Sequence, residues 1–320
     1  MLTSGEREVV LDQPKSVEAI EAQVGQPPLQ KERVSRRMAL LRRAGLFGTD
    51  TKGAVIRRAV SVEELTAAYR LVHDVFVEKG YISPQPTGLR LRVTEALPQT
   101  ATFIAEGDQG VVGVQSIAVD ADELGLPSDG AFRQEIDSLR IDGRRVCEAT
   151  NQAIAVDYRK TAVPTELMRC MFAHALLIGC DELITTISPG HARFFELLGF
   201  QQISPVRSYS RQIDDPVVVM RVNVGDLIER ATQAQEGQDE ATLYIRSRCL
   251  EDNPYRWKVN DWETEAAKTF ADPETLRRLF VAQGNFLGNC SAEEMAAIRR
   301  QWGPAVFQQV SGTALPLVTV

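Results

Sequence analysis

The sequence predicts an α/β fold: a mixed sheet flanked by helices, preceded by a helical arm and followed by a helical extension. Three observations predict it. Between Ala54 and Val222, apolar runs of strand character alternate with runs of helical period, the pattern of a layered α/β core. A Gly107-Asp108-Gln109-Gly110 turn joins two of the strand patterns as a hairpin. Beyond Asn223 only helical patterns remain. The 320 residues thus divide into an N-terminal arm (1–53), an α/β core (54–223) and a C-terminal extension (224–320).

The arm holds the breaker Gln26-Pro27-Pro28 and then a basic stretch from Lys31 to Arg43. Val34, Met38 and Leu41 recur there at helical spacing, which predicts an amphipathic helix ended by Gly45 and Gly48. Its basic face reads as solvated, or as a weak contact with a membrane surface or an acidic partner. In the core, Ala54 to Val60 reads as a strand. Ser61 and Glu64 form a capping-box pair, opening a helix with Leu65, Ala68, Leu71, Val72, Val75 and Phe76 on one face. Strands over Thr100 to Ala105 and Val111 to Val119 flank the hairpin turn. There follow a short helix from Ala131 to Leu139, a long strand from Val146 to Val156, and a helix from Pro164 to Ile178 with proline in its first turn. A short strand, Leu183 to Ile187, precedes a helix from Pro189 to Leu198 closed by Gly199. Two last strands, Phe200 to Ile213 and Val217 to Val222, are joined by Asp214-Asp215-Pro216. The extension opens on a polar linker, Gln233 to Asp239. Helices over Asp261 to Phe270, Asp272 to Ala282 and Ser291 to Arg300 each start on an Asp or Ser suited to an N-cap. Trp257 and Trp262 read as packing anchors.

Apolar residues make up 44% and charged residues 25% of the chain, as in a globular protein with a real core. The net charge of −7 argues against general nucleic-acid binding, which calls for a basic balance. No apolar stretch is long enough to span a membrane, and the first residues show neither a basic n-region nor an apolar h-region. Five cysteines without a CxxC pair fit reduced thiols in a cytoplasmic protein. Three histidines make a His-rich metal centre unlikely to form; no metal and no resident cofactor is expected. His73 and His174 sit in apolar helix patterns and read as satisfied core residues.

The chemistry concentrates between Cys147 and Phe200. A strand ending Ile154-Ala155-Val156-Asp157 passes through Tyr158-Arg159-Lys160-Thr161-Ala162-Val163 onto a helix beginning at Pro164. Unpaired backbone N–H groups at such a helix start form an anion site, to which Arg159 and Lys160 add charge. It suits a pyrophosphate or a pantetheine phosphate. This loop resembles the (Q/R)-x-x-G-x-(G/A) loop of the GNAT superfamily, with Arg159, Ala162 and Pro164 at the marked positions and both glycines replaced. The run from Ile184 to Phe200, ending Phe194-Phe195-Glu196-Leu197-Leu198-Gly199-Phe200, resembles the superfamily's second signature. Two further stretches, Tyr69 to Tyr81 and Leu126 to Glu148, are similar to long-chain N-acyl amino acid synthases and the acyl-homoserine lactone (autoinducer) synthases.

This resemblance implies a GNAT-type sheet and the transfer of an acyl chain from a thioester to an amine. It implies as donor an acyl carrier protein thioester, or acyl-CoA, as co-substrate, held by Ile154, Ala155, Val156, Arg159, Lys160, Thr161, Ala162 and Val163. The replaced glycines favour a carrier protein, whose single phosphate asks less of the loop than CoA does. An acidic carrier needs a local basic patch on an acidic chain, for which Arg140, Arg144, Arg145, Arg159, Lys160 and Arg169 are the candidates. Glu148 matches the family's strand glutamate, and a carboxylate beside the thioester can take the proton of an attacking amine. It reads equally as a structural carboxylate paired with Arg145 or Arg159. The tyrosine that protonates the leaving thiolate in many relatives is here Phe195, which leaves His191, Tyr209 or water. His191 reads equally as a helix cap. Backbone N–H groups between Asn151 and Val156 are the expected oxyanion donors. Phe76, Thr150 and Asn151 face the small-molecule amine acceptor. Two arginines usual in the family are replaced, by Val72 and Asn151. A CoA-dependent N-acetyltransferase and a non-catalytic thioester sensor or partner-binding protein are the alternatives.

Overall fold

A computed structural model describes residues 39, 41, 46–121, 123–209, 215–234, 240–283 and 286–312. Most of the predicted arm helix and most of the polar linker lie outside them. Eight strands form one mixed sheet: β1 (Val55–Arg58), β2 (Ala101–Gly107), β3 (Gly110–Val119), β4 (Val146–Ile154), β5 (Glu182–Ile187), β6 (Gln201–Gln202), β7 (Arg207–Ser208) and β8 (Pro216–Asn223). Their order is β1-β2-β3-β4-β5-β8-β6, with β7 also on β8. Only β4 and β5 pair in parallel; the other paired strands are antiparallel. A parallel neighbour requires a long crossover, and helix α3 below supplies it. The architecture is the mixed α/β sheet flanked by helices that the sequence predicts.

Helix α1 (Val62–Glu78) opens on the predicted capping box, with Ser61 accepting from the Glu64 N–H and Glu64 accepting from the Ser61 N–H. Leu65, Ala68 and Val72 are buried as its pattern predicts, and Tyr69 and His73 join them. Helix α2 (Asp129–Arg140) begins two residues before its predicted start, α3 (Val163–Leu177) carries Pro164 in its first turn, and α4 (Ala192–Leu197) follows a 3₁₀ turn at Pro189–His191. Strand alternation assigns these helices to faces. Phe103 of β2 meets His174 of α3, ring centroids 5.5 Å apart, whereas neighbouring Ile104 packs in the cluster under α1. Val114 of β3 lies under α1 and Ala118 under α2. Helices α1 and α2 therefore cover one face and α3 the other.

The strand expected from Phe200 to Ile213 is a correction: it breaks into β6 and β7, and 210–214 are outside the described residues. Pro205 has no N–H to give to a ladder, and the Ser204 hydroxyl accepts the Val219 N–H at 2.8 Å in place of a strand carbonyl.

The extension forms α5 (Val224–Thr232), α6 (Glu240–Tyr244, continuing as a π-helix Ile245–Glu251), α7 (Val259–Ala271), α8 (Pro273–Arg277, continuing to Ala282), α9 (Ala292–Trp302) and α10 (Pro304–Ser311). Asp272 and Ser291 cap α8 and α9 as predicted, but Lys258, not Asp261, precedes α7. The later helices share one core with α1: Phe270, Leu276, Phe280, Ile298, Trp302 and Phe307 pack among Val62, Leu65, Tyr69 and Val72. Trp302 is the anchor. Its ring lies 5.7 Å from Phe280 and 6.2 Å from Phe307, and its Nε1–H donates to the Ala96 carbonyl at 2.6 Å. Trp257, expected to anchor, is instead 84% exposed, within a run of turns ahead of α7. Truncating Trp302 removes a large buried ring and leaves a cavity, so Trp302→Ala is expected to cost about 3–5 kcal/mol in urea unfolding.

Candidate active site

Strands β4 and β5 pair over four residues, Val146 with Glu182 through Ala149 with Thr185, and then separate. A bulge lies where they part. Ser116 of β3 faces Thr150 and Val114 faces Ala153, so β4 carries one extra residue there. Asn151 takes up the irregularity at φ 56°, a left-handed conformation that asparagine accepts better than most residues. Bulges re-aim side chains and end pairing, and this one leaves a gap through the sheet. The Gln115 amide donates to the Thr150 carbonyl at 2.9 Å. Asn151 is fixed from both sides of its amide: its Nδ2 donates to Glu95 Oε1 at 2.9 Å, and its Oδ1 accepts from Arg92 at 3.1 Å.

Glu148 stands at the last paired positions, 2% exposed. Its carboxylate accepts from the Ser128 N–H at 3.0 Å and from the Ser128 hydroxyl at 2.6 Å. The Ser128 oxygen lies 2.5 Å from the Thr186 hydroxyl. Neither Arg145 nor Arg159 reaches it. Arg145 donates to the Ile178 carbonyl, and Arg159 pairs with Glu78 at 2.7 Å. Burial pushes the Glu148 carboxyl up to about 7, against the pull of the Ser128 hydrogen bonds and of Arg92. A carboxyl near neutrality suits proton transfer at working pH.

A cavity of about 1040 Å³ passes through the gap. On the α1/α2 side its wall includes Glu148, Arg90, Arg92 and Tyr209; on the α3 side it includes Leu183, Met168, Met171 and Phe172. Met168, Met171 and Phe172 follow helical spacing and present one apolar stripe of α3. The two halves differ in chemistry: two guanidinium groups and a carboxyl at one end, thioethers, rings and aliphatic chains at the other.

Residues 67–223 match the model of the FeeM family, N-acyl amino acid synthase FeeM. Over this stretch, just under half of the chain, the protein is an N-acyltransferase that resembles the FeeM family. Among solved structures, FeeM itself, an N-acyl amino acid synthase from uncultured soil microbes, is 25% identical, with 54% of this chain and 92% of that chain covered and a TM-score of 0.48. The acyl-homoserine lactone synthase LasI is 14% identical over 53% of this chain and 91% of its own, TM-score 0.43. BjaI, a CoA-dependent acyl-homoserine lactone synthase solved with SAM and isopentyl-CoA, is 16% identical over 61% and 100%, TM-score 0.40. No curated protein matches the sequence.

Within the matched stretch the structure brings Glu148, Thr150, Asn151, Phe76 and His191 to this cavity. His191 is exposed at its rim and makes no side-chain cap for α4. The Tyr209 hydroxyl donates to the Pro127 carbonyl at 3.0 Å; burial raises its pKa, and the neighbouring Glu148 adds to this. The donor-side residues behave differently. None of Ile154, Ala155, Val156, Arg159, Lys160, Thr161, Ala162 and Val163 lines the cavity, which reaches this loop only through Gln152, Pro164 and Thr165. The loop was expected to offer free N–H donors. Those of Tyr158, Arg159, Thr161 and Ala162 instead donate to the carbonyls of Ala155, Val156, Tyr158 and Asp50, and that of Val163 to the Thr161 hydroxyl. A 3₁₀ turn at Val156–Tyr158 and the incoming Asp50 segment account for this. The expected basic patch is largely neutralised. Arg140 pairs with Asp120, Asp129 and Asp137, Arg144 with Glu182, and Arg169 is buried against Glu166.

Arg90 and Arg92 were missed. They stand in Leu89-Arg90-Leu91-Arg92-Val93, whose alternation of apolar and charged residues after Gly88 was the available signal. Arg92 pairs with Glu95 at 2.6 Å, leaving its Nη1 buried without an acceptor. Burial works against the Arg92 charge, but Glu95 more than restores it. The Arg90 guanidinium lies 4.9 Å above the Phe76 ring and has no carboxylate partner among the described residues; its Nε is buried and unpaired. Burial, and next Arg92, lower its pKa to about 10. Ser128 also escaped notice, for nothing in the sequence marks it as the holder of a glutamate twenty residues away.

A carboxyl whose folded pKa is raised binds a proton that the unfolded chain has released. Its contribution to stability is therefore full below the ordinary carboxylate range and is lost as pH rises through about 7. Glu148→Gln removes the buried charge, so its melting temperature relative to the parent is expected to rise from pH 5 to pH 8, as followed by calorimetry.

Proposed function

We propose that the protein moves a long acyl chain from a carrier-protein thioester to the amine of an amino acid. The observation that carries this reading is one cavity through the sheet with an apolar end and an opposite end that carries Arg90, Arg92 and Glu148. The amine nitrogen attacks the thioester carbonyl at the gap, and Glu148 takes its proton. The new C–N bond forms and the C–S bond breaks. The departing sulfur leaves as a thiol, its proton coming from Tyr209, from His191 or through water. Burial of the Tyr209 hydroxyl keeps it protonated until it is needed. The backbone at the Asn151 bulge is the place for oxyanion donors.

The acceptor's carboxylate is the natural partner of Arg90 and of the open Nη1 of Arg92. Guanidinium groups match a carboxylate in shape as well as charge. These two stand in for the family arginines replaced at Val72 and Asn151. The acyl chain occupies the α3 side, where each buried methylene contributes about 0.8 kcal/mol. An acetyl group would leave that space unused, which weighs against an acetyltransferase. The intramolecularly bonded donor loop supports a carrier-protein donor over CoA, because a diphosphate asks for several free N–H groups.

Palmitoyl carrier protein and a mixture of amino acids are expected to give N-acyl amino acid by mass spectrometry, faster than palmitoyl-CoA does; consumption of acetyl-CoA alone would overturn the reading. Glu148→Gln is expected to lower turnover about 10²–10⁴-fold, and the acidic limb near pH 7 in the parent's rate profile is expected to disappear with it. Arg90→Met is expected to raise the acceptor KM about tenfold or more while leaving the donor KM unchanged. An amino acid amide, which lacks the carboxylate, should lose little from the same change.

A further inference from the structure

The apolar end of the cavity is lined in part by residues that lie outside the matched stretch 67–223. Leu227 of α5, Tyr244 and Ile245 at the junction of α6 with the π-helix, and Cys249 within it all line the wall, whereas the family match ends at residue 223. They lie on the α3 side with Met168, Met171 and Phe172, across the sheet gap from Arg90 and Arg92. The π-helix bonds residues five apart, which brings Tyr244 and Ile245 over Cys249 on one side of the turn.

This wall is held rigidly. Arg169 of α3 is 4% exposed and donates through Nε to the Arg248 carbonyl and through Nη2 to the Asp252 carbonyl, both at 2.8 Å. The Asn253 amide donates to the carbonyls of Arg169 at 2.9 Å and Cys249 at 3.1 Å. The Tyr255 hydroxyl donates to Glu166 at 2.8 Å, and Glu166 also accepts from Arg169. The Arg169, Glu166, Asn253 and Tyr255 side chains are buried, so the segment from Arg248 to Tyr255 is bolted to α3, and α3 carries another wall of the same space. Tyr244 is 2% exposed, its hydroxyl has no partner among the described residues, and Phe47 packs edge-on against its ring at 5.6 Å. A fixed wall at the end of an apolar channel stops a chain at a set length, whereas a mobile one would admit several.

We infer that Tyr244, Ile245 and Cys249 form the end wall of the acyl channel and set the length of acyl chain the protein accepts. This rests on the acyl-transfer reading, since the occupant is the methyl end of the donor's chain. A pocket distinguishes ligands that differ by a methylene by about tenfold or more, so a wall moved by a side chain's width changes the preferred length by a few carbons.

The test uses the full chain and carrier protein loaded with saturated acyl groups from eight to eighteen carbons, with acceptor held constant. The parent is expected to show one preferred length. Ile245→Trp, which thickens the wall, is expected to lower kcat/KM for that length about tenfold or more while chains several carbons shorter keep the parent's rate. Ile245→Ala and Cys249→Ala are expected to move the preference toward longer chains. A parent that turns over no acyl donor would sink the acyl-transfer reading itself. A parent that turns over donors, with variants whose length profile is unmoved, would overturn the end-wall assignment alone. Should Ile245→Trp unfold, the two alanine variants decide: an unchanged profile in both overturns the inference.

Discussion

Strands β4 and β5 run in parallel for four residue pairs and then separate at the Asn151 bulge. A continuous sheet is a barrier, since its ladder hydrogen bonds and packed side chains leave no passage. Parting two central strands opens one, but it strands backbone polar groups that must find other partners. The surrounding residues answer that need. Gln115 takes the Thr150 carbonyl, and Asn151 is held by Glu95 and Arg92. The parallel pairing matters as well. It requires a crossover helix, and that crossover, α3, supplies the apolar wall on the far side of the opening. The gap, the bulge and the wall are one construction.

The electrostatics of the site follow from where each charge meets this opening. Glu148 sits one residue before the last paired position, where burial is nearly complete and its partners are neutral Ser128 groups, so its proton is held to about pH 7. Glu95 is equally buried but lies against Arg92, and although burial alone would raise its pKa, the guanidinium holds it low. Two carboxyls near one opening are thereby driven apart in acidity, one a fixed anion and one able to exchange a proton. Separated environments of this kind mark an acid–base role. Arg90 completes the contrast as a half-buried cation stacked on a ring, its Nε buried, with no carboxylate partner among the described residues. Such an arrangement is destabilising in the empty protein, as buried unpaired charge is, and its retention makes sense at a site that receives an anion.

The order of elements was legible because each has a local signature. Ser61 and Glu64 announce α1, Gly107 to Gly110 turn the hairpin, and the Leu198-Gly199-Phe200 end of α4 is recognisable at sight. Glu148 was legible for the same reason, lying on a strand between two readable signatures. What failed depended on contacts distant in sequence. The donor loop carries helix-start chemistry in its residues, yet Asp50, more than a hundred positions earlier, takes its Ala162 N–H. The arginines expected to make a patch are individually exposed in a sequence reading and individually paired in space. Arg90 and Arg92 look like a solvated strand until the fold closes over them. Trp257 reads as an anchor in the sequence but is exposed, whereas Trp302, which nothing local marks, packs beneath α1.

The extension bears on both ends of the cavity, and this sets how the molecule works as a unit. At the cationic end, Trp302 donates to the Ala96 carbonyl, beside the 3₁₀ turn Val93–Ala96 that carries Glu95, the partner of Arg92. At the apolar end, Asn253 and Tyr255 tie the π-helix to α3. Sites built on packed helices are held more closely than sites on loops, and here neither end is left to a free loop. The two anchors belong to one stretch of chain running from α6 to α10, which also shares the core beneath α1. Loosening that core would therefore disturb the Val93–Ala96 turn and the π-helix wall together. Both ends of the cavity thus rest on residues that lie outside the matched stretch 67–223.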